Sequence, residues 1–374
     1  MAWAGAWWTP RGGRAWAAGC ALAAACVLPT PVAGAATAPG SPPSAAPATV
    51  LRVVGGYEDL SPYTRHEEPF WTQELPALTG GRLRGDIVAA DRAGIRGQDM
   101  LRLMSLGVVP FGTALVNLVA SSDPLLGAPD LAGLNPDLAS LRRDVEAFRP
   151  QLARVLRERH GVELLALYIY PAQVLFCRQP FRDLGDLAGR RVRTASATQV
   201  DFVEALGATA VTLPFSELAF NVRSGTVDCT LTGSMTGHVL GLHEWTSHVH
   251  AMAVNWGLAI FGAHQGAWRA LAEADRALIA RELARVEQAV WEESGRETAD
   301  GLRCLGGQAT AAACGGRAPG HMTVLGATSA DEQRRRQILA GRVLPNWVQR
   351  CGSGCAAAWN EAIGPASGIE ARPR

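Results

Sequence analysis

From Val162 to Phe176 the chain is almost continuously apolar and includes Tyr168, Tyr170 and Phe176. A run of this kind reads as buried strand, which needs layers of structure on both of its faces. It is flanked by two series in which strand and helix patterns alternate. The first has an apolar strand at Val50–Gly55, helix-spaced residues at Pro62–Leu78 and a strand at Leu83–Ala90. A helix at Gly97–Leu106, stopped by Gly107, and a strand-like stretch at Val108–Val119 follow. A Pro/Gly/Asp stretch from Asp123 to Pro136 then leads into a long amphipathic helix ending at His160. The second series has strands at Arg191–Thr194, Ala208–Leu213 and Val227–Leu231, with helices at Thr198–Leu206 and Phe215–Val222 between them, and a buried strand pair over His248–Ala263. Helices at Ala274–Leu302, Ala330–Val348 and Ala356–Ile363 finish the chain. The expected fold is α/β and two-lobed, with lobe I at residues 49–173, lobe II at 174–263 and a helical segment at 264–374 bracing both. Such an architecture places a ligand cleft between the lobes.

The first 35 residues read as an export signal. Arg11 and Arg14 precede an apolar, Ala-rich run from Ala15 to Leu28, closed by Pro29 and Pro31, and a small-residue cleavage site follows at Val32-Ala33-Gly34-Ala35. The run is too short and too small in its side chains for a membrane anchor. Residues 36–48, rich in Ala, Pro and Ser, read as a linker. The expected location is therefore the periplasm, where disulfides persist. Six cysteines remain beyond the signal: Cys177, Cys229, Cys304, Cys314, Cys351 and Cys355. Spacing does not fix their pairing, but Cys304 with Cys314 and Cys351 with Cys355 would close short loops, and Cys177 and Cys229 would then pair or stay free.

With 35 basic and 34 acidic residues and no sustained charged run, nucleic acid is not an expected partner. The chain contains no lysine, which excludes Schiff-base and Walker-lysine chemistry and makes every fixed cation an arginine. No catalytic set is evident. His243 and His248 stand five apart, turned by about 140° on a helix, so they cannot share a face as a zinc-protease motif requires. His248 and His250 have no acidic or thiol partner at ligand spacing, and Cys351-Gly-Ser-Gly-Cys355 lacks a second ligand pair. Thr232-Gly233-Ser234-Met235-Thr236 is only part of a nucleophile elbow, and no Gly-x-Gly-x-x-Gly follows a strand. Neither a catalytic residue nor a metal or other cofactor is expected.

Four motifs occur in order between Cys177 and Gly233: Asp186-Leu187-Ala188-Gly189 with Arg193, Ala205-Leu206-Gly207-Ala208, Pro214-Phe215-Ser216-Glu217 and Gly225-Thr226-Val227-Asp228. In these the chain resembles the solute-binding subunits of tripartite ATP-independent periplasmic (TRAP) transporters of the dicarboxylate type. Gln98-Asp99-Met100-Leu101 with Gly107 adds a weaker likeness. The resemblance implies a type II-like periplasmic binding protein fold and no enzymatic activity. Its expected ligand is a small organic acid, and its expected partners are the small and large permease subunits. A receptor-coupled sensor, or less readily a secreted enzyme on the same fold, is the alternative. Nothing in the long helices marks a seam, so a monomer or weak dimer is expected.

The resemblance also implies site residues. Arg193 falls where the family has the arginine that clamps the ligand carboxylate through two points, a geometry that selects planar carboxylates. Phe215 matches an aromatic that packs on the ligand body. Thr232 replaces a frequent asparagine and offers a short hydroxyl in its place. A second family arginine has no counterpart in Tyr170-Pro171-Ala172-Gln173-Val174, where Gln173 is the nearest polar residue; Arg178 is either a more distant substitute or a residue of the strand edge. One remaining cation suits a monocarboxylate. Tyr57 and Trp256 either complete an aromatic wall or belong to the core.

Overall fold

Two sheets, joined by strand crossovers and one long helix, form the body of the protein in a computed structural model that describes residues 48–372. The export signal expected over 1–35 lies outside the described residues, as does the expected linker apart from its last residue.

The first sheet contains β1 (Thr49–Gly55), β2 (Leu83–Ala89), β3 (Phe111–Leu115), β4 (Val162–Tyr168) and, from later in the chain, β10 (Ala259–His264). Its order is β2-β1-β3-β10-β4, parallel from β2 to β3 and antiparallel at β10. The second sheet is built from β5 (Gln173–Cys177), β6 (Arg191–Thr194), β7 (Thr209–Thr212), β8 (Cys229–Gly233), β9 (His248–Asn255) and β11 (Thr323–Leu325), in the order β11-β9-β5-β8-β6-β7. Helices cover both sheets, as an α/β fold requires. The helix Leu138–His160 starts where the Asp137 carboxylate accepts the Ser140 N–H at 2.8 Å, and it stops at Gly161, whose φ of 60° suits glycine.

Two apolar runs divide differently from the sequence expectation. The run Val162–Phe176 breaks at Ile169–Ala172, around Pro171, and crosses from β4 in one sheet to β5 in the other. The pair expected over His248–Ala263 forms as β9 and β10, but β10 lies between β3 and β4 in the first sheet rather than with lobe II. Hydrophobic patterning marks a segment as a buried strand without naming the sheet that receives it. The short strand β11, within the expected helical segment, pairs parallel with β9.

The helix Glu273–Leu305 fastens the crossovers. Its apolar stripe, Ile279, Leu283, Val286 and Val290, is buried at helical spacing. Beyond it, Trp291 Nε1 donates to Leu167 O at 2.7 Å, Ser294 Oγ to Ile169 O at 2.8 Å, and Ala172 N to Thr298 Oγ1 at 3.1 Å. Gly301 is required where this helix meets Ser234–Met235, because a Cβ there would collide with backbone atoms. Disulfides join Cys177 to Cys229, Cys304 to Cys314 and Cys351 to Cys355. Among the described residues no helix is long and apolar enough to cross a membrane.

Candidate ligand-binding site

Arg193 lies in β6, between β7 and β8, opposite Val211 on one side and Thr230 on the other. Strand alternation sends Val192 to one face of the sheet and Arg193 to the other. The side chain is only 3% exposed. Its Nε and Nη2 donate to Leu213 O at 3.0 and 2.7 Å, and its Nη1 donates to Leu231 O at 3.2 Å. A guanidinium has five N–H donors, so one N–H on each terminal nitrogen has no acceptor among the described residues. Burial lowers its pKa to about 10, and the one side chain acting electrostatically against that shift is Tyr57, a phenol rather than a carboxylate. The position is thus a buried cation, fixed in orientation by carbonyls and without a protein counter-ion among the described residues.

A small chamber of about 50 Å³ surrounds it, lined by Tyr57, Gln173, Phe215 and Thr232 along with Arg193. Tyr57 follows β1 and Phe215 follows β7, so the chamber has walls from both sheets. The two rings stack with centroids 4.6 Å apart. Both rings also line a larger outer cleft of about 1030 Å³ that reaches Trp347 and Arg350. Burial raises the Tyr57 pKa to about 12, which keeps the phenol neutral beside the arginine. Gln173 Nε2 is held by Pro171 O at 3.0 Å.

The other two residues singled out in the sequence lie elsewhere. Trp256 is buried in the β9–β10 crossover, its indole N–H donating to Asn135 O at 3.1 Å and its backbone N–H to Asp130 Oδ1 at 2.8 Å. It is a core residue and does not line the chamber. Arg178 follows the opposite end of β5 from Gln173, a strand length of about 17 Å away. There its guanidinium covers Gly225, the left-handed glycine that ends the helix Leu218–Ser224. Nor do the motif acids reach the chamber: Asp228 pairs with Arg191 at 2.8 Å, and Asp186 with Arg182 at 3.2 Å.

The structure adds polar residues that carry no sequence motif. Asn117 lines both chamber and cleft, and its buried Oδ1 has no partner among the described residues. Tyr170 and Thr236 line the chamber, and the Tyr170 hydroxyl is likewise buried and unpartnered. Two buried carboxyls flank the site, Glu67 behind the chamber and Asp130 on the wall of the outer cleft. Glu67 accepts from Gly56 N at 2.7 Å and from Thr113 Oγ1, and burial lifts its pKa to about 7. Asp130, lifted to about 6 by burial, accepts from Trp256 N and from Leu258 N at 3.3 Å, which pins the β9–β10 crossover.

Comparison with known proteins agrees with this architecture. Residues 62–305 match the model of the bacterial extracellular solute-binding protein family 7. An extracytoplasmic solute receptor of Bordetella pertussis, solved with pyroglutamic acid, superposes with a TM-score of 0.74 at 20% identity, over 84% of this chain and 99% of that one. A TRAP periplasmic solute-binding protein of Desulfovibrio salexigens with bound orotic acid gives 0.72 at 16% identity, over 83% and 96%. One from a Sulfitobacter species with β-D-galacturonate gives 0.71 at 15%, over 84% and 99%. With the family match spanning well over half of the chain, and the fold shared with these receptors, the protein belongs to family 7 of the bacterial extracellular solute-binding proteins, the solute receptors of TRAP transporters.

Proposed function

We propose that this protein captures a small organic acid in the periplasm, holds its carboxylate on Arg193, and delivers it to the small and large membrane subunits of a TRAP permease. One observation carries the reading: Arg193 is buried, braced by Leu213 and Leu231 carbonyls, and among the described residues keeps one unused N–H on each terminal nitrogen. A carboxylate that accepts both would supply the missing counter-charge in a two-point pair. Phe215 and Tyr57 would cover the apolar body of the acid. Gln173, Thr232 and the unpartnered Asn117 Oδ1 would meet its polar groups, the last of these accepting from an N–H or O–H donor.

Among the described residues no second cation lines the inner chamber, which favours a single carboxylate. Pyroglutamate, orotate and galacturonate, bound by the proteins of similar fold, are each a ring bearing one carboxylate. Binding would favour the closed arrangement of the two sheets by contributing contacts to both walls at once.

Calorimetric titration of the mature protein with these three acids and a wider panel of monocarboxylates tests the reading. The expected result is one or more bound acids and, for Arg193→Ala, a loss of about 30-fold or more in affinity, since removing one partner of a buried charge pair costs about 2–5 kcal/mol. Equal binding by wild type and variant would remove Arg193 from the site. Uptake into vesicles carrying the two membrane subunits, dependent on added receptor, tests delivery.

A further inference from the structure

The helix Ser234–Val239 separates two clusters. Thr236 faces the ligand chamber, while Met235 packs against Cys304 and Cys314. His238, one turn along from Met235, joins the same two sulfurs. One donor atom from each of His238, Cys304 and Cys314 lies within 4.8 Å of the other two. The His238 ring is fully buried against the backbone of Cys314, and among the described residues neither of its nitrogens makes a hydrogen bond of ordinary geometry. His243 stacks on it with centroids 5.0 Å apart, and its Nδ1 is unpartnered too. Buried polar atoms left unsatisfied are rare and call for a physical reason. A cleft of about 330 Å³ reaches Met235 and Cys314, with Glu293, Glu297 and Asp300 on its wall as well as Arg65, Arg296 and Arg317.

We propose that Cys304, Cys314 and His238 form a thiol-gated site for a soft d10 cation, Zn²⁺ or Cu⁺, closed while the Cys304–Cys314 bridge is intact. Two thiolates with one imidazole, and the Met235 thioether beside them, are the donor set such ions prefer. Opening the site takes a dithiol reductant. Two electrons pass to the Sγ–Sγ bond, which breaks; each sulfur gains a proton, and the dithiol becomes a disulfide. Cation binding then releases the two thiol protons as two metal–sulfur bonds form, and a ring nitrogen of His238 supplies a lone pair. Sequence spacing does not reveal this set, because tertiary folding brings His238 to cysteines more than sixty residues away.

The test reduces the mature protein with a phosphine, removes the reductant, and titrates Zn²⁺ against a chromogenic chelator and Cu⁺ against bicinchoninate. Reduced wild type is expected to take up one equivalent of at least one cation that oxidised protein does not. That equivalent should persist in Cys351→Ser/Cys355→Ser, vanish in Cys304→Ser/Cys314→Ser, and weaken about tenfold or more in His238→Ala. A second readout needs no variant: the bound cation should shield Cys304 and Cys314 of the wild type from iodoacetamide, as mapped by mass spectrometry. Absence of uptake of both cations, uptake that survives loss of Cys304 and Cys314, or shielding confined to other cysteines would each overturn the proposal.

Discussion

Tyr57 and Phe215 stack across the cleft at 4.6 Å, one ring following β1 of the first sheet and the other following β7 of the second. They therefore join the two walls of the chamber, and any motion that parts the sheets has to separate them. An aromatic pair is worth about 0.5–1.5 kcal/mol beyond its buried area. Phe215→Ala is accordingly expected to raise the Kd for the bound acid about two- to twelvefold, whereas Tyr57→Phe, which keeps the ring, leaves it nearly unchanged. Titration calorimetry distinguishes the two. An unaltered Kd in Phe215→Ala would mean the stack has no part in the ligand-bound state.

Arg193 predicts an opposition between stability and binding. Without ligand its charge is buried with no counter-ion among the described residues, an unfavourable arrangement that lowers its pKa to about 10. Arg193→Met keeps much of the aliphatic volume and removes the charge. The ligand-free variant is expected to melt at or above the wild-type temperature while losing all stabilisation by added acid. A substantially lower melting temperature in the ligand-free variant would show that the carbonyl bonds to Leu213 and Leu231 outweigh the burial cost.

Much of this arrangement was legible in the residues, and the rest for definite reasons was not. Local patterning locates the strand carrying Arg193 and the helix start carrying Phe215, and the structure gathers Arg193, Phe215, Thr232, Gln173 and Tyr57 around one chamber. The sequence leaves Trp256 between ligand wall and core, because an aromatic in a crossover strand has the same local pattern either way; its bond to Asp130, more than a hundred residues away, holds it in the core. Arg178 stands just past the end of β5, the strand-edge position that is one of its two readings, because closeness in sequence to Gln173 becomes a strand length in space. Asn117 gave no signal, since a single amide after an apolar stretch becomes informative only once its empty acceptor is seen in a cavity.

Glu67 makes stability pH-dependent. Its folded pKa of about 7 lies above its ordinary value of 4.5, so the folded protein holds this proton more tightly than the unfolded chain does. Between those values the folded state binds the extra proton, and stability from this group falls as pH rises through the interval. The full cost above pH 7 is about 3 kcal/mol. Glu67→Gln preserves an acceptor for Gly56 N, turns the Thr113 hydroxyl from donor to acceptor of an amide N–H, and abolishes titration. Urea unfolding should find the variant more stable than wild type at pH 8, with the gap shrinking toward pH 4.5. A gap independent of pH would show that the carboxyl does not titrate in this range.

Cys177 and Cys229 face one another in register on β5 and β8, near the end of a ladder whose other end bears Gln173 and Gly233. The bridge spans 52 residues, whereas Cys351–Cys355 spans 4. If cross-links act mainly by restricting the unfolded chain, the longer loop contributes about 4 kcal/mol and the shorter about 2 kcal/mol. Denaturant unfolding should therefore show Cys177→Ala/Cys229→Ala to be destabilised about twice as much as Cys351→Ala/Cys355→Ala. Ligand affinity responds differently, because main-chain bonds along β5 and β8 hold the strand register in any molecule that remains folded. Calorimetry on the Cys177→Ala/Cys229→Ala protein under native conditions is expected to give the wild-type Kd. A large loss of affinity in protein that still unfolds cooperatively would instead make the bridge part of the machinery that positions Gln173 and Thr232.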